Sequence, residues 1–342
     1  MRSPTGPDGP TPDLPALPDL PPFDPNDRYE EFIPQPLPHP HGKLWVQLAL
    51  LALTLGTTTF AGGCHYAFFE LGFNADAQVA AERLEGQFAM PSFYAHGLWY
   101  SLTILAILGC HEMGHYIACL RYNVLATRPF FLPAPLITGT LGAFIRIKSR
   151  IPNKIALFDI GVAGPLAGFV IAVPALFIGM MLSRIEQLPL DRSNLQELGE
   201  PLLFKFAAWL VWGSVADGYS INMHPMAFAA WFGLLATALN LFPIGQLDGG
   251  HISYAVLGRR STVVTLVMIG VAIGLCFVSN SWIIWTALLV VMTLLLGPNH
   301  PPTLYDDEPL GKGRLLIAAL AMVILTLCFT PVPLADFISP GP

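Results

Sequence analysis

The sequence predicts an all-α polytopic membrane protein. Of its 342 residues, 54% are hydrophobic and 12% are charged, whereas charged residues make up about a quarter of a soluble globular domain. Apolar runs long enough to cross about 30 Å of hydrocarbon recur along the chain. The basic residues concentrate in a few of the loops between these runs. These observations predict about seven transmembrane helices, with a membrane-associated β-hairpin after the second.

The N-terminal segment differs from the rest of the chain. Residues 1–41 are rich in proline and acidic residues, a composition typical of disordered chains because it buries little apolar surface. The sequence therefore predicts a disordered Pro-rich N-terminal tail over 1–41 and a transmembrane domain over 42–342. The net charge of −6 includes no basic block of the kind that binds nucleic acid, so no nucleic-acid partner is expected.

Seven apolar runs are candidate membrane spans, each of a length suited to a transmembrane helix. They are Leu44–Gly63, His96–Leu120, Ile155–Ser183, Pro225–Phe242, Thr262–Val278, Trp282–Gly297 and Leu315–Leu334. An eighth run, Leu202–Val215, is about 14 residues long, which is short for a span. Its length suits an interfacial or re-entrant helix better.

The distribution of lysine and arginine predicts the orientation, because short cytoplasmic loops carry the positive excess. Basic residues dominate the loops after the second and fourth spans and before the last one. Acidic residues dominate Cys64–Ala95 and Arg184–His224, which are therefore expected to face outward. Seven spans with a cytoplasmic N-terminus satisfy every assignment, whereas a spanning Leu202–Val215 would move Arg259 and Arg260 to the outside.

The segment Pro129–Arg150 interrupts the helical pattern. Prolines and glycines stand there among apolar and β-branched residues, which is typical of a hairpin or an edge strand. Non-helical backbone at membrane depth is tolerated only where protein covers it or where it lines a cavity. An extended edge over 129–150 could bind a substrate as an added strand.

One short motif, His111-Glu112-Met113-Gly114-His115, places three ionisable residues inside an apolar run. On a helix, His111 and His115 lie one turn apart on the same face, so both imidazoles can ligate one metal ion. Glu112 projects close enough to act on a metal-bound water. Chance gives this pattern in about 1% of chains of this length, and each buried ionisable group needs compensation. The motif therefore predicts a zinc site.

A catalytic zinc needs a third protein ligand and an open position for water. The best candidate is Asp248, which follows the fourth span. Pro243 ends or kinks that span, and Gly249 and Gly250 permit a tight turn, so Asp248 is expected on irregular backbone. Taken alone, Asp248 also fits a capping residue of an ordinary loop. In the predicted topology, however, His111 and Asp248 both reach the cytoplasmic third of the membrane, which favours a ligand.

Other histidines are weaker candidates for ligands. His65, His96 and His224 fall on the outward side of the predicted topology. His251 lies near the predicted site, where a role beside the ligands is favoured over ligation. The third span also has small residues at spacings that allow close helix packing: Gly161, Gly164 and Gly168.

The pairing of H-E-x-x-H in an early span with N-x-x-P-x-x-x-x-D-G-G at Asn240–Gly250 resembles the site-2 protease family of intramembrane zinc metalloproteases. The resemblance is to the branch found in bacteria and chloroplasts, with no room for the PDZ or CBS domains of other branches. It covers a catalytic core of 97–258, leaving C-terminal helices over 262–334. By this resemblance, zinc ligands would be His111, His115 and Asp248. Glu112 would be the general base, and Asn240 a polar group that holds substrate or the developing oxyanion.

The resemblance implies hydrolysis of peptide bonds within or next to transmembrane segments of protein substrates, with one Zn²⁺ per chain. A membrane metal transporter is an alternative, since it also places His, Glu and Asp within helices, but it would need polar residues along a whole pathway. A catalytically silent scaffold of the same fold is another, against which the intact Glu112 counts. The expected location is a bacterial inner membrane, or a plastid membrane by the resemblance.

Overall fold

The structure is a computed structural model that describes residues 44–73, 77–189, 196–297, 301–305 and 308–336. The predicted tail over 1–41 lies outside this part of the chain. In chain order the helices of the described residues are α1 Leu44–Leu71, α2 Ala77–Gln87, α3 Pro91–Arg121, α4 Lys154–Leu182, α5 Leu202–Trp212, α6 Pro225–Leu241, α7 Asp248–Leu257, α8 Ser261–Leu275, α9 Trp282–Leu296 and α10 Lys312–Cys328. The strands are β1 Phe130–Pro133, β2 Thr140–Phe144, β3 Arg184–Gln187, β4 Gln196–Leu198, β5 Tyr219–Asn222 and β6 Leu334–Asp336.

The predominance of helix confirms the predicted class of a helical membrane protein. Among the described residues, four helical segments are long and apolar enough to cross a membrane: α1, α3, α4 and the continuous stretch Asp248–Leu275. α6 and α9 are apolar but shorter, with 17 and 15 residues. The count of seven spans therefore stays a prediction.

Helix boundaries depart from the predicted apolar runs where polar residues continue a helix. α1 runs on to Leu71, past the predicted end at Gly63, and α2 forms inside the segment Cys64–Ala95 that was expected to be a loop. The stretch that contains α8 begins at Asp248 rather than at Thr262. Hydropathy marks only the apolar part of a helix, so helical turns outside that part are missed.

The centre of the fold is formed by α3, α4 and α6, which pack against one another, with α1 against α3 and α7 against α4. Small residues allow the close approach of α1 and α3. A Cβ atom on Gly97 would lie 2.1 Å from the carbonyl oxygen of Thr59, and one on Gly62 would lie 2.3 Å from the carbonyl oxygen of Gly97. The backbones of these two helices therefore touch without intervening side chains.

The segment after α3 forms an antiparallel strand pair, with Phe130 opposite Phe144. Its connecting turn is held by side chains of the helices. The Thr57 hydroxyl donates to the carbonyl oxygen of Gly139 at 2.7 Å, Tyr100 donates to that of Thr138 at 3.0 Å, and His65 Nε2 lies 2.8 Å from that of Ile137. These bonds bring side-chain donors to the carbonyls of the turn. That the pair is associated with a membrane stays a prediction.

Candidate metal centre

The residues of the H-E-x-x-H motif lie together on α3, in its C-terminal half. His111, Glu112 and His115 are buried, each less than 9% exposed. Because His111 and His115 are four residues apart, their rings project from one helix face. Their Nε2 atoms are 3.1 Å apart.

Asp248 brings its carboxylate to both histidines. Its Oδ2 lies 3.2 Å from His111 Nε2, and its Oδ1 lies 3.3 Å from His115 Nε2. Two ligands bound to zinc at 2.0–2.1 Å in tetrahedral geometry are about 3.3 Å apart. The separations among the three residues therefore fit one shared Zn²⁺ ion.

The backbone at Asp248 differs from the prediction. Asp248 was expected on irregular backbone, but it is the first residue of α7. Gly249 and Gly250 lie in the first helical turn, where a Cβ would be 2.0 Å from the carbonyl oxygen of Leu241 and 2.2 Å from that of Gly245, respectively. The two glycines therefore let the start of α7 press against the segment that follows α6, and the helix itself aims Asp248.

The hydrogen bonding of His115 is consistent with metal ligation. Its Nδ1 lies 2.7 Å from the carbonyl oxygen of Ile160, which can only accept, so Nδ1 carries the proton. In the neutral ring, Nε2 then presents a lone pair towards His111 Nε2 and the Asp248 carboxylate. A cation bound between these atoms would satisfy both the lone pair and the carboxylate. Within the described residues, this is the one group of three or more His, Cys, Asp or Glu side chains with that geometry.

Two further predicted residues lie at the same place. The Glu112 carboxylate lies beside the backbone N–H of Ile145, which follows β2. The Nδ2 atom of Asn240, on α6, is 3.5 Å from His111 Nε2. The structure thus brings all five predicted site residues together, from α3, α6 and α7.

The glycines of the predicted third span, which lie on α4, have a more specific role than close helix packing. A Cβ on Gly164 would lie 2.1 Å from His115 Nε2, and one on Gly168 would lie 3.2 Å from His111 Cβ. The face of α4 that carries them therefore accommodates the two imidazole rings. Sequence reasoning found the small residues through their spacing but missed this role, as it missed the contacts of Ile160 and Ile145.

The other histidines that the structure describes are not part of this ligand group. His96 stacks on Tyr66 with ring centroids 4.1 Å apart, and His224 Nδ1 accepts a hydrogen bond from the N–H of Met226 at the start of α6. His65 is bound to the turn between β1 and β2. His251 lies on α7, close to α4. A Cβ on Gly161 of α4 would lie 2.8 Å from the Cβ of His251.

Comparisons with known proteins find similarity to a peptidase family and to zinc metalloproteases. The model of Peptidase family M50 matches residues 99–279. The chain is 30% identical over 250 residues to probable zinc metalloprotease EGY2, chloroplastic, of Oryza sativa subsp. indica, over 70% of this chain and 45% of the relative. It is 33% identical over 261 residues to probable zinc metalloprotease EGY1, chloroplastic, of Oryza sativa subsp. japonica, over 71% and 42%.

A relative in a second plant has similar coverage. The chain is 28% identical over 232 residues to probable zinc metalloprotease EGY1, chloroplastic, of Arabidopsis thaliana, over 67% of this chain and 42% of the relative. The chain thus spans less than half the length of these curated relatives. No solved structure matches.

Proposed function

Because the chain belongs to Peptidase family M50, the family of the site-2 proteases, we propose that it is an intramembrane zinc metalloendopeptidase. It would hydrolyse peptide bonds within or next to transmembrane segments of membrane-protein substrates. The observation that carries this proposal is the convergence of His111 Nε2, His115 Nε2 and the Asp248 carboxylate at separations that fit zinc, next to the buried Glu112.

In the proposed mechanism, His111, His115 and Asp248 would hold one Zn²⁺, and the bound ion would supply Lewis-acid chemistry. Glu112 accepts a proton from the attacking water and passes it to the leaving amine. The N–H of Ile145 lies beside the Glu112 carboxylate, where it would help to orient this side chain. Asn240, beside His111, would donate a hydrogen bond to the substrate oxygen as negative charge develops on it.

The substrate would bind along β2 as an added strand. In a helical segment the peptide carbonyls are hydrogen bonded within the helix, so the segment must unwind before a bond can be cleaved. One edge of β2 pairs with β1, and the proposal assigns the other edge to the substrate. Leu141 and Phe144 of this strand are 67% and 43% exposed, which suits an apolar substrate.

We also propose seven spans, with the N-terminus and the active-site side in the cytoplasm. Contacts between loops support the division of these loops between two sides of the membrane. At one end, Tyr305 N–H donates to the Pro152 carbonyl at 2.9 Å, next to the basic segment before α4. At the other end, β3 pairs with β5, and β4 pairs with β6.

The same contacts support a non-spanning α5, because β4 and β5 flank this helix on either side in the chain. At 11 residues, α5 is about 16 Å long, roughly half the thickness of the hydrocarbon. The proposed location is a bacterial inner membrane, or a plastid membrane as for the relatives, whose names describe them as chloroplastic.

The test is cleavage of a single-span substrate by purified protein in detergent, with zinc content measured on the same samples. We expect Glu112→Gln to lower the cleavage rate by about 10²–10⁴-fold while zinc stays bound, because the substitution removes the base but no ligand. Glu85→Gln, at an exposed position on α2, is the matched control and should leave both quantities unchanged. Cleavage that survives Glu112→Gln would refute the mechanism. Zinc flux by the protein reconstituted into lipid vesicles, without cleavage, would favour a transporter.

A further inference from the structure

Three helix ends meet at one carboxylate on the side of the molecule where α4 begins. Asp159, in the second turn of α4, accepts two hydrogen bonds from Arg314 of α10: Nε to Oδ1 at 2.8 Å and Nη2 to Oδ2 at 2.8 Å. It also accepts a bond from the hydroxyl of Tyr122, which follows the last residue of α3. Parallel double bonds between arginine and a carboxylate fix geometry as well as charge.

The polypeptide around Arg314 is attached to the same region. Tyr305 forms a backbone bridge with Asn153, and the side chain of Asn153 donates to Glu308 at 3.2 Å. Asn153 is also the residue that caps the start of α4, accepting from the N–H of Ala156 at 2.9 Å. The segment leading into α10 therefore holds the first turns of α4.

These first turns of α4 contact the metal centre. Ile160, the neighbour of Asp159, provides the carbonyl oxygen that accepts from His115 Nδ1 at 2.7 Å. Gly164, one turn further, provides the space for the same ring. Tyr122, just past the end of α3, lies two turns beyond His115. A shift of α4 against α3 at Asp159 would thus displace the acceptor that orients His115.

We propose that Arg314 and Asp159 are positioning residues of the metal centre. They fix the start of α4 against the end of α3, and so hold the Ile160 carbonyl where it orients the His115 ring towards the metal. A group that accepts a hydrogen bond from the non-ligating nitrogen of a metal-bound histidine orients the ring. Altering such a group commonly changes metal affinity. Arg314 lies beyond residues 99–279, which the family model matches, so the family match assigns it no role. The inference rests on the proposed function, because it takes His115 as a ligand.

The test measures zinc affinity by competition with a chelator, on full-length protein in detergent. We expect Arg314→Gln to weaken zinc binding by about tenfold, in the range found for partners behind a ligand. Arg314→Lys should recover only part of the loss, because lysine keeps the charge but not the paired bonds. Tyr122→Phe, which removes one hydroxyl, should have a smaller effect in the same direction.

A matched control separates positioning from general stability. Arg184→Gln breaks the exposed pair between Arg184 and Glu70, 3.1 Å apart, in a region remote from Asp159, and should leave zinc affinity unchanged even if it lowers the melting temperature. Equal loss of affinity in Arg184→Gln and Arg314→Gln would overturn the inference, as would wild-type affinity in Arg314→Gln. If Arg314→Gln does not fold, Tyr122→Phe and Arg314→Lys decide by the same criteria. A wild-type protein that binds no zinc would overturn the proposed function first, and this inference with it.

Discussion

Among the described residues, histidines gather in two regions, and their rings make different contacts in each. At the metal centre, His111 and His115 point their Nε2 atoms at each other and at the Asp248 carboxylate. In the second region, which we call the outer cluster and define as His96, His224, Tyr66, Phe69 and Trp99, the imidazoles contact aromatic rings.

Charge is also arranged differently in the outer cluster. Glu70, the carboxylate that acts on His224, is already paired with Arg184 at 3.1 Å. The Arg184 guanidinium in turn lies over the ring of Phe69, 4.6 Å from its centroid. The comparison teaches that ring nitrogens converging with a carboxylate mark His111 and His115 as candidate ligands. His96 and His224 instead pack against aromatic rings, and His224 also caps α6.

The sharpest test of this comparison replaces one residue in each region. Asp248→Ala removes the carboxylate that is proposed as the third zinc ligand. Zinc content should therefore fall from about one ion per chain to near zero, and cleavage should be lost. His224→Asn should keep zinc and cleavage, because asparagine is also a good N-cap for α6. Zinc content by elemental analysis, together with the cleavage rate, measures both.

Two results would break the comparison. Full zinc occupancy in Asp248→Ala would show that the carboxylate is not a ligand. Loss of zinc in His224→Asn, in a protein that still folds, would show that the outer cluster contributes to metal binding.

A smaller effect is expected from adding one methyl group to α4. Gly164→Ala would place a Cβ 2.1 Å from His115 Nε2, so the ring must move and zinc affinity should fall by about tenfold or more. Gly179→Ala, also on α4, would place a Cβ 2.3 Å from the backbone nitrogen of Ala227. It should lower stability without changing zinc affinity, since it touches the start of α6 instead of a ligand.

Thermal unfolding and chelator competition on the two alanine variants separate these effects. If Gly179→Ala weakens zinc binding as much as Gly164→Ala does, the loss comes from general loosening of α4. The role that we assign to Gly164, leaving space for the His115 ring, would then be wrong.

The grouping of the candidate ligands could be predicted from the sequence because its main signal is local. His111, Glu112 and His115 are defined by spacing on one helix, and the later Asp-Gly-Gly segment could be joined to them through the predicted orientation. The roles of Gly164, Ile160 and Arg314 could not be predicted in this way. They depend on which faces of α3, α4 and α10 meet, and apolar patterning does not specify this in helices that are apolar all round.

Part of the missing information did have a sequence signal. Asp159 is an acidic residue in the apolar run Ile155–Ser183, and an ionisable residue in such a run is expected to have a partner. The sequence does not show that the partner is Arg314, 155 positions away. The start of α7 at Asp248 was missed for a different reason, since paired glycines normally indicate a turn and here allow close backbone packing.

The smallest predicted effect concerns the outer cluster and pH. Burial, and then the nearby Arg184, lower the pKa of His224 to about 4, against the opposing effect of Glu70. The unfolded chain takes up a proton on this residue near its ordinary pKa of about 6.5. His224 therefore contributes stability that is fully present above about pH 6.5 and is lost as the pH falls towards about 4. Protonation would also remove the Nδ1 lone pair that caps α6.

His224→Asn isolates this contribution, because it keeps a capping side chain but cannot titrate. Melting temperatures of the wild type and the variant should diverge least at pH 4 and most above pH 6.5, with the wild type the more pH-dependent of the two. Zinc loss at low pH affects both proteins alike and cancels in the difference. Parallel curves would mean that His224 titrates in the folded protein as it does in the unfolded chain. The outer cluster would then be open to water, and its contrast with the buried metal centre would be weaker than the ring contacts indicate.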